Sequence, residues 1–195
     1  DGPQNSNYNE IFNPYAASIV NDPLVTAVTN EFTMLNEPDL DNPTMSKPYD
    51  TEQYVAFSKS LYEDVKAENE DAFIWGPVAA GVMNRTWLTS FLEKGGGKYI
   101  DGLDIHGYTL KESPEEGGLV NHIKKIHTLM EKNGISDKPI FRSEYGWTSV
   151  GESGYTDEYE QAYYNIRMLF LHDAYNLCDK AASYELVDGG EENEQ

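Results

Sequence analysis

Two glutamates in this sequence stand directly after short apolar runs, at points where the chain is expected to turn. Glu37 precedes Pro38, and Glu144 precedes an aromatic–glycine–aromatic segment. A pair of carboxyl groups can share the work of cleaving a glycosidic bond, because one protonates the leaving oxygen while the other attacks carbon or activates water. The two glutamates are therefore candidates for such a pair.

Other side chains that suit a sugar-binding site follow similar apolar runs. Asn36 lies next to Glu37, His106 and Tyr108 end a run between the two glutamates, and Trp147 closes the segment after Glu144. Aromatic faces bind the apolar faces of sugar rings, and Tyr and Trp also donate hydrogen bonds. These residues could act together only if the fold gathers the ends of their runs.

The apolar runs are predicted to be β-strands. Each is short, mostly apolar and without clean alternation, and each is followed by Gly, Pro, Asp or Glu, a pattern typical of buried parallel strands. The five predicted strands lie at residues 31–36, 72–76, 102–106, 139–143 and 182–187.

Helical patterns fill the gaps between the strands. The first helix is predicted around residues 14–29. Asp50 is expected to cap the second helix and Thr156 the last, and the third and fourth helices are expected near Asn84 and Leu119. The apolar stripes are Tyr54, Phe57, Leu61 and Val65 in the second helix, and Tyr163, Ile166, Leu169 and Phe170 in the last. Alternating strands and helices imply parallel pairing with crossover helices. The carboxyl ends of the strands, and with them the candidate residues, then share one rim.

The length leaves two architectures open. A complete eight-unit barrel needs about 250 residues, and the 195 residues here offer five strands and four complete crossovers. A small open sheet and a barrel without its first three βα units fit equally well. We treat residues 1–195 as a single domain, with loose ends expected at 1–13 and 191–195.

The amino-acid composition argues against several classes of binding partner and cofactor. The formal net charge is −20, from 34 acidic and 14 basic residues, and it disfavours nucleic acid and anionic membranes as partners. No apolar run is long enough to cross a bilayer. The single cysteine, Cys178, excludes an internal disulfide framework and a cysteine-rich metal site. We predict neither a metal nor a cofactor.

Three segments together resemble one enzyme family, the clan A retaining glycosidases. Residues 36–38 resemble the Asn-Glu-Pro signature that closes strand four of that family. Residues 143–147 resemble its strand-seven nucleophile segment, and residues 105–108 resemble the end of strand six. The similarity is strongest to the β-xylosidase and iduronidase-like group, followed by cellulase-like relatives.

The resemblance implies a fold and a function. The fold is a partial TIM (β/α)8 barrel of the α/β class, in which the five parallel strands are strands four to eight. The function is hydrolysis of a β-linked poly- or oligosaccharide by double displacement, outside the cell. The resemblance implies that Glu37 is the acid/base and Glu144 the nucleophile. It also implies that Asn36 hydrogen-bonds the sugar 2-hydroxyl and that His106 or Tyr108 orients Glu144 or the sugar. Trp147 would line a sugar-binding subsite.

Two alternatives remain at this point. The chain could be a carbohydrate-binding remnant of such an enzyme, whose aromatic side chains still hold sugar without turnover. It could also be an unrelated small α/β domain in which Glu37 and Glu144 are structural. The distance between the two carboxyl groups separates these readings from hydrolysis, since both known hydrolytic geometries keep them within about 10 Å.

Overall fold

The structure, a computed structural model, describes residues 8–40, 48–80, 85–149 and 156–184. Five strands alternate with helices along these segments. In chain order the elements are α1 (Tyr8–Val20), α2 (Pro23–Thr26), β1 (Glu31–Thr33), α3 (Thr51–Glu68), β2 (Phe73–Ala79), α4 (Thr86–Glu93), a 3-10 turn (Gly96–Tyr99), β3 (Gly102–Ile105), α5 (Leu119–Lys132), β4 (Ile140–Tyr145), α6 (Glu158–Tyr175) and β5 (Lys180–Ser183).

All five strands are parallel and pair in sequence order, β1-β2-β3-β4-β5. In a flat sheet the two edge strands would lie about 19 Å apart, four times the spacing of about 4.8 Å. Instead, the first residue of β5, Lys180, places its ammonium nitrogen 2.6 Å from a carboxylate oxygen of Glu31, the first residue of β1. The sheet therefore curls until its edges approach, as a part of a (β/α)8 barrel does. This confirms the predicted partial barrel over the open sheet.

The amino-terminal end of the barrel interior is filled by this ion pair and by aromatic rings. The indole nitrogen of Trp75 donates to Glu31 at 2.8 Å, and the Trp75 and Phe141 rings meet at 5.4 Å. A side chain at Gly102 would overlap the Trp75 ring, so the glycine makes room for it. Trp75 itself is part of the core, since only 3% of it is exposed.

The helix α3 packs on the outside of the sheet and supplies much of the core, with Tyr54, Phe57, Leu61 and Val65 buried as the sequence predicts. It begins at the predicted cap, where the Asp50 carboxylate accepts hydrogen bonds from the backbone N–H groups of two first-turn residues at 3.0 and 3.1 Å. This satisfies donors that the first helical turn cannot pair internally.

Replacing Asp50 with alanine is expected to lower the free energy of unfolding by about 1 kcal/mol, because the first-turn donors lose their acceptor. Urea unfolding followed by far-UV circular dichroism measures the change. Asp50→Asn is the matched control, since its amide oxygen still accepts. Equal losses in the two variants would contradict the capping role.

The predicted strands are confirmed in position, but several ends differ. The last strand runs over Lys180–Ser183 and not over 182–187, of which residues 185–187 lie outside the described part. The cap of α6 is Asp157, in a reciprocal capping box with Glu160, and not Thr156. Asn84, the predicted start of the third helix, also lies outside the described residues.

Residues 8–13, which fall within the predicted loose head over residues 1–13, belong to α1. Long-range contacts hold this stretch in place. The Asn13 amide donates to Ser60 and Asp64, both at 2.8 Å, and the Phe12 ring packs on Phe57. Tertiary packing on α3 thus orders a segment whose local sequence gives little helical signal.

Large apolar side chains are exposed on the helices that flank the two edge strands. One side of the half-barrel exposes Ile11, Tyr15, Leu24 and Val28 of α1, α2 and the turn after α2, and the other exposes Tyr159, Tyr163, Ile166, Leu169, Phe170 and Tyr175 of α6. The predicted apolar stripe of α6 is therefore not its core face, which consists of Met168 and His172. None of the described helices is long and apolar enough to span a membrane.

Candidate active site

Glu37 lies in the turn that follows β1, on the rim formed by the carboxyl ends of the strands. Its backbone N–H donates to the Val78 carbonyl at the end of β2, at 3.0 Å. Asp39 accepts from the backbone N–H of Ala80 at 2.8 Å, so two hydrogen bonds tie the turn to the neighbouring strand. Glu37 itself adopts a positive φ of 46°, a conformation that is uncommon for residues with a side chain.

Glu144 lies near the carboxyl end of β4. The pairing of β4 with β5 shifts register between Arg142 and Tyr145, and Glu144 falls inside this irregularity. Such a bulge re-aims a side chain relative to the regular alternation of a strand. The side chains of Glu37 and Glu144 are each 26% exposed, so both are partly buried and remain open to a ligand.

His106 joins the two carboxyl groups. Its Nδ1 lies 2.9 Å from Oε1 of Glu37 and 3.5 Å from Oε2 of Glu144, and its ring is only 1% exposed. One ligand atom from each of the three residues lies within 4.8 Å of the others. The structure thus brings together three residues that the sequence separates by as many as 107 positions (144 − 37).

Tyr108 completes the cluster. Its hydroxyl donates to Oε2 of Glu144 at 2.8 Å. Burial, followed by this hydrogen bond and the charge of Glu144, raises the pKa of Tyr108 well above its ordinary value. The hydroxyl therefore keeps its proton throughout the neutral range and acts as a fixed donor to the carboxylate.

The other two predicted binding residues differ in their surroundings. Asn36 is exposed beside Glu37. Trp147 is only 5% exposed; its indole nitrogen donates to the Glu112 carbonyl at 2.8 Å, and its ring meets Tyr164 edge-on. Trp147 thus packs the loop after β3 against α6. The sugar-binding roles of both residues remain predictions.

Two further residues belong to this region and were not predicted. Asp104, on β3 below His106, is completely buried, and its carboxylate accepts a hydrogen bond from Ser143, the residue before Glu144. Tyr184 directly follows β5, donates its backbone N–H to the Tyr145 carbonyl at 2.8 Å, and leaves its side chain largely exposed. The sequence-based strand 182–187 concealed Tyr184, because it placed the strand end three residues later.

The spacing of Glu37, His106 and Glu144 would also allow them to ligate a metal ion. Within the group, His106 hydrogen-bonds Glu37, and Tyr108 from outside the group holds Glu144. Their arrangement provides a proton donor and acceptor pair, a buried imidazole between them and a tyrosine hydroxyl that orients one carboxylate.

A curled parallel α/β sheet that presents two carboxyl groups at the ends of its strands defines the class: this is a part of a glycosidase barrel. The sequence matches the family described as "Glycosyl hydrolase catalytic core" over residues 21–182. The chain therefore belongs to the glycosyl hydrolase catalytic core family. No curated protein matches the chain in a sequence search.

Solved structures of glycosidases share the fold. A monomeric β-xylosidase from Caulobacter crescentus superposes with a TM-score of 0.66 at 20% identity, over 91% of this chain and 38% of that one. A family 44 xyloglucanase from Paenibacillus polymyxa gives 0.64 at 16% identity, over 91% and 47%. A curdlan-specific exo-β-1,3-glucanase from Blastomyces gilchristii gives 0.61 at 22% identity, over 84% and 66%. The chain spans two thirds or less of the length of each of these proteins.

Proposed function

We propose that the protein hydrolyses β-linked oligo- or polysaccharides with net retention of configuration. Glu37 is the acid/base of this reaction and Glu144 is the nucleophile. Membership of the glycosyl hydrolase catalytic core family supports the reaction class. The roles of the residues rest on the geometry of the rim.

The observation that carries the proposal is the close approach of the two carboxyl groups. An oxygen of Glu37 and an oxygen of Glu144 lie within 4.8 Å of each other. Retaining glycosidases keep their carboxyl groups about 5–5.5 Å apart, whereas inverting enzymes need about 6.5–9.5 Å to admit a water molecule. The short separation is closer to the retaining range than to the inverting range, which favours direct attack by Glu144.

In the first step, a carboxylate oxygen of Glu144 forms a bond to the anomeric carbon while the bond to the leaving oxygen breaks. Glu37 transfers its proton to that oxygen. In the second step, Glu37 takes a proton from water, the water oxygen bonds to the anomeric carbon, and Glu144 is released as a carboxylate.

The surrounding residues suit these assignments. The Tyr108 hydroxyl donates a hydrogen bond to Oε2 of Glu144 and so fixes the position of the attacking carboxylate. His106 Nδ1 lies against Glu37 at 2.9 Å and can follow the change of its protonation state between the two steps. We therefore assign the acid/base role to Glu37, whose carboxyl lies closer to the His106 imidazole than the carboxyl of Glu144 does.

Action outside the cell is part of the proposal, because a polymeric substrate is too large to cross a membrane. The first sugar-binding side chains to examine are Asn36 and Tyr184, which are exposed beside the two carboxyl groups.

The test has two readouts on the purified protein. Proton NMR of the first sugar released from an aryl β-glycoside should show the β-anomer before mutarotation. A 2-deoxy-2-fluoro β-glycoside with a good leaving group should label the protein once, and peptide mass spectrometry should place the label on Glu144.

An α-anomer as first product would overturn the retaining mechanism. Labelling at any other residue would overturn the assignment of Glu144. If a panel of β-glycans binds in calorimetry while neither turnover nor labelling occurs, the protein is a carbohydrate-binding remnant and not a hydrolase.

A further inference from the structure

Arg142 carries a buried positive charge directly behind the proposed active site. It lies on β4 two residues before Glu144 and is completely shielded from solvent. Among the residues that the structure describes, no carboxylate forms an ion pair with it, and its Nε has no partner. Burial lowers the pKa of Arg142 to about 10, so the guanidinium still carries its charge at neutral pH.

A buried charge without a counterion is costly, so what the guanidinium does contact is informative. One terminal nitrogen donates to the carbonyl of Gly107, the residue directly before Tyr108. The guanidinium carbon lies 4.8 Å from the centre of the Tyr145 ring, and Tyr145 directly follows Glu144. Arg142 thus contacts a chain neighbour of each partner in the Tyr108–Glu144 hydrogen bond.

The third contact of Arg142 anchors it to the helical layer. Its other terminal nitrogen lies 3.1 Å from Nε2 of His172 on α6. Burial, followed by the neighbouring guanidinium, lowers the pKa of His172 to about 4. The imidazole is therefore neutral near pH 7, and its Nε2 can accept from the arginine. The planar guanidinium connects α6, β4 and the loop after β3 through one set of donors.

We propose that Arg142 is a positioning residue for the nucleophile: from behind the sheet it holds the Gly107–Tyr108 peptide so that the Tyr108 hydroxyl meets Glu144. This inference rests on the proposed role of Glu144. Without the guanidinium, the buried Gly107 carbonyl loses its hydrogen-bond donor. The loop that carries Tyr108 then loses the contact that holds it in position relative to β4.

The proposal is tested by a double-mutant cycle in the purified protein. Arg142→Met keeps the length and apolar volume of the stem and removes every donor, and Tyr108→Phe removes only the hydroxyl. Each single variant should lose roughly 10- to 100-fold in kcat on an aryl β-glycoside, the size expected for one hydrogen bond to a charged group. KM should change much less, because the lost contact orients Glu144 and does not touch the sugar.

The double variant decides between positioning and a general structural role. If Arg142 acts through Tyr108, Arg142→Met/Tyr108→Phe should be no more than about threefold slower than Tyr108→Phe alone. If Arg142 only supports the fold, the two losses multiply and the proposal is overturned. Titration of active sites with the 2-deoxy-2-fluoro β-glycoside should give one label per molecule in every variant, whereas partial unfolding would lower this stoichiometry.

Two further variants keep the test decisive. Arg142→Lys retains the charge but cannot reach Gly107 and His172 together, so it should restore only part of the loss; complete rescue would show that charge alone matters and would overturn positioning. If Arg142→Met does not fold, Arg142→Lys takes its place in the double-mutant cycle. Full turnover by Glu144→Ala would instead overturn the proposed function, and the cycle between Arg142 and Tyr108 separates this failure from a failure of the inference.

Discussion

Replacing Glu144 with alanine is expected to lower kcat on β-glycosides by about 10⁴-fold or more, the loss typical of removing a covalent nucleophile. The variant lacks the oxygen that attacks the anomeric carbon, while Glu37 and His106 remain in place. Steady-state hydrolysis of a nitrophenyl β-glycoside measures the loss. Thermal unfolding should change little, because the Glu144 carboxyl is partly exposed and is not part of the core.

Azide should rescue this variant in a way that identifies the missing role. The cavity left on one face of the sugar admits the anion, which attacks the anomeric carbon once and gives an α-glycosyl azide. Glu37→Ala should behave differently: with a dinitrophenyl leaving group the first step needs little protonation, so the glycosyl–enzyme forms and azide then gives the β-glycosyl azide. NMR of the isolated azides distinguishes the two configurations.

Glu131→Ala is the matched control for Glu144→Ala, since Glu131 is an exposed carboxylate on α5. It should turn over at the wild-type rate and show no response to azide. If Glu144→Ala keeps more than about a tenth of the wild-type kcat, or if both glutamate variants yield the same azide, the assigned roles are wrong.

The position of the two glutamates on the rim could be predicted from the sequence because their signal is local. Each follows a short apolar strand, and in a parallel sheet all such strand ends lie on one rim. Position on the rim then follows from topology alone, without any knowledge of side-chain packing. The same reasoning predicted His106 and Tyr108, which the structure places in contact with Glu37 and Glu144.

The positions of Asp104 and Arg142 could not be predicted in this way. Both lie inside strands, where buried parallel segments show no alternation that separates the barrel interior from the helical layer. The structure places Asp104 beside Ser143 and Arg142 beside His172. Partners that are 39 and 30 residues away in sequence leave no local pattern to read.

The choice between a barrel and an open sheet depended on long-range contact as well. Strand count and crossover order are the same for both. The ion pair between Glu31 and Lys180 spans 149 residues and distinguishes them, because it requires the edge strands to approach. In helix α6 the periodicity of the sequence was itself uninformative. Its apolar residues lie on all sides of the helix, so their spacing could not identify the face that packs on the sheet.

Replacing Asp104 is expected to have the second large effect, which is on the free energy of unfolding and not on catalysis. Its side chain is completely buried, and one of its two carboxyl oxygens has no partner among the described residues. Burial raises the pKa of Asp104 from 3.8 to about 6, although Ser143 and His106 act in the opposite direction. Glu144, the nearby like charge, adds to the rise. The folded state therefore binds a proton on Asp104 more tightly than the unfolded state does.

The sign of the pH dependence follows from this difference. Below about pH 3 the carboxyl is protonated in both states and costs nothing. As the pH rises towards 6 the unfolded chain loses the proton first, so stability falls, and above 6 the loss is complete. A rise of about two pH units corresponds to about 3 kcal/mol. Asp104→Asn, which resembles the protonated acid in shape and polarity, should match the wild type near pH 3 and exceed it by about 3 kcal/mol at about pH 8.

Asp101→Asn is the control. Asp101 directly precedes β3, the strand that carries Asp104, but its surroundings shift its pKa in the opposite direction. Although burial raises its pKa, hydrogen bonds from Lys66, Ile74 and Tyr62 outweigh burial and lower it. That variant should therefore lose stability relative to the wild type at neutral pH, with the difference shrinking as the pH falls below 4. Urea unfolding from about pH 2 to about pH 8 measures both differences. If Asp104→Asn shows no gain at pH 8, or tracks Asp101→Asn in sign, then Asp104 is stabilised as an anion and the account of its burial is wrong.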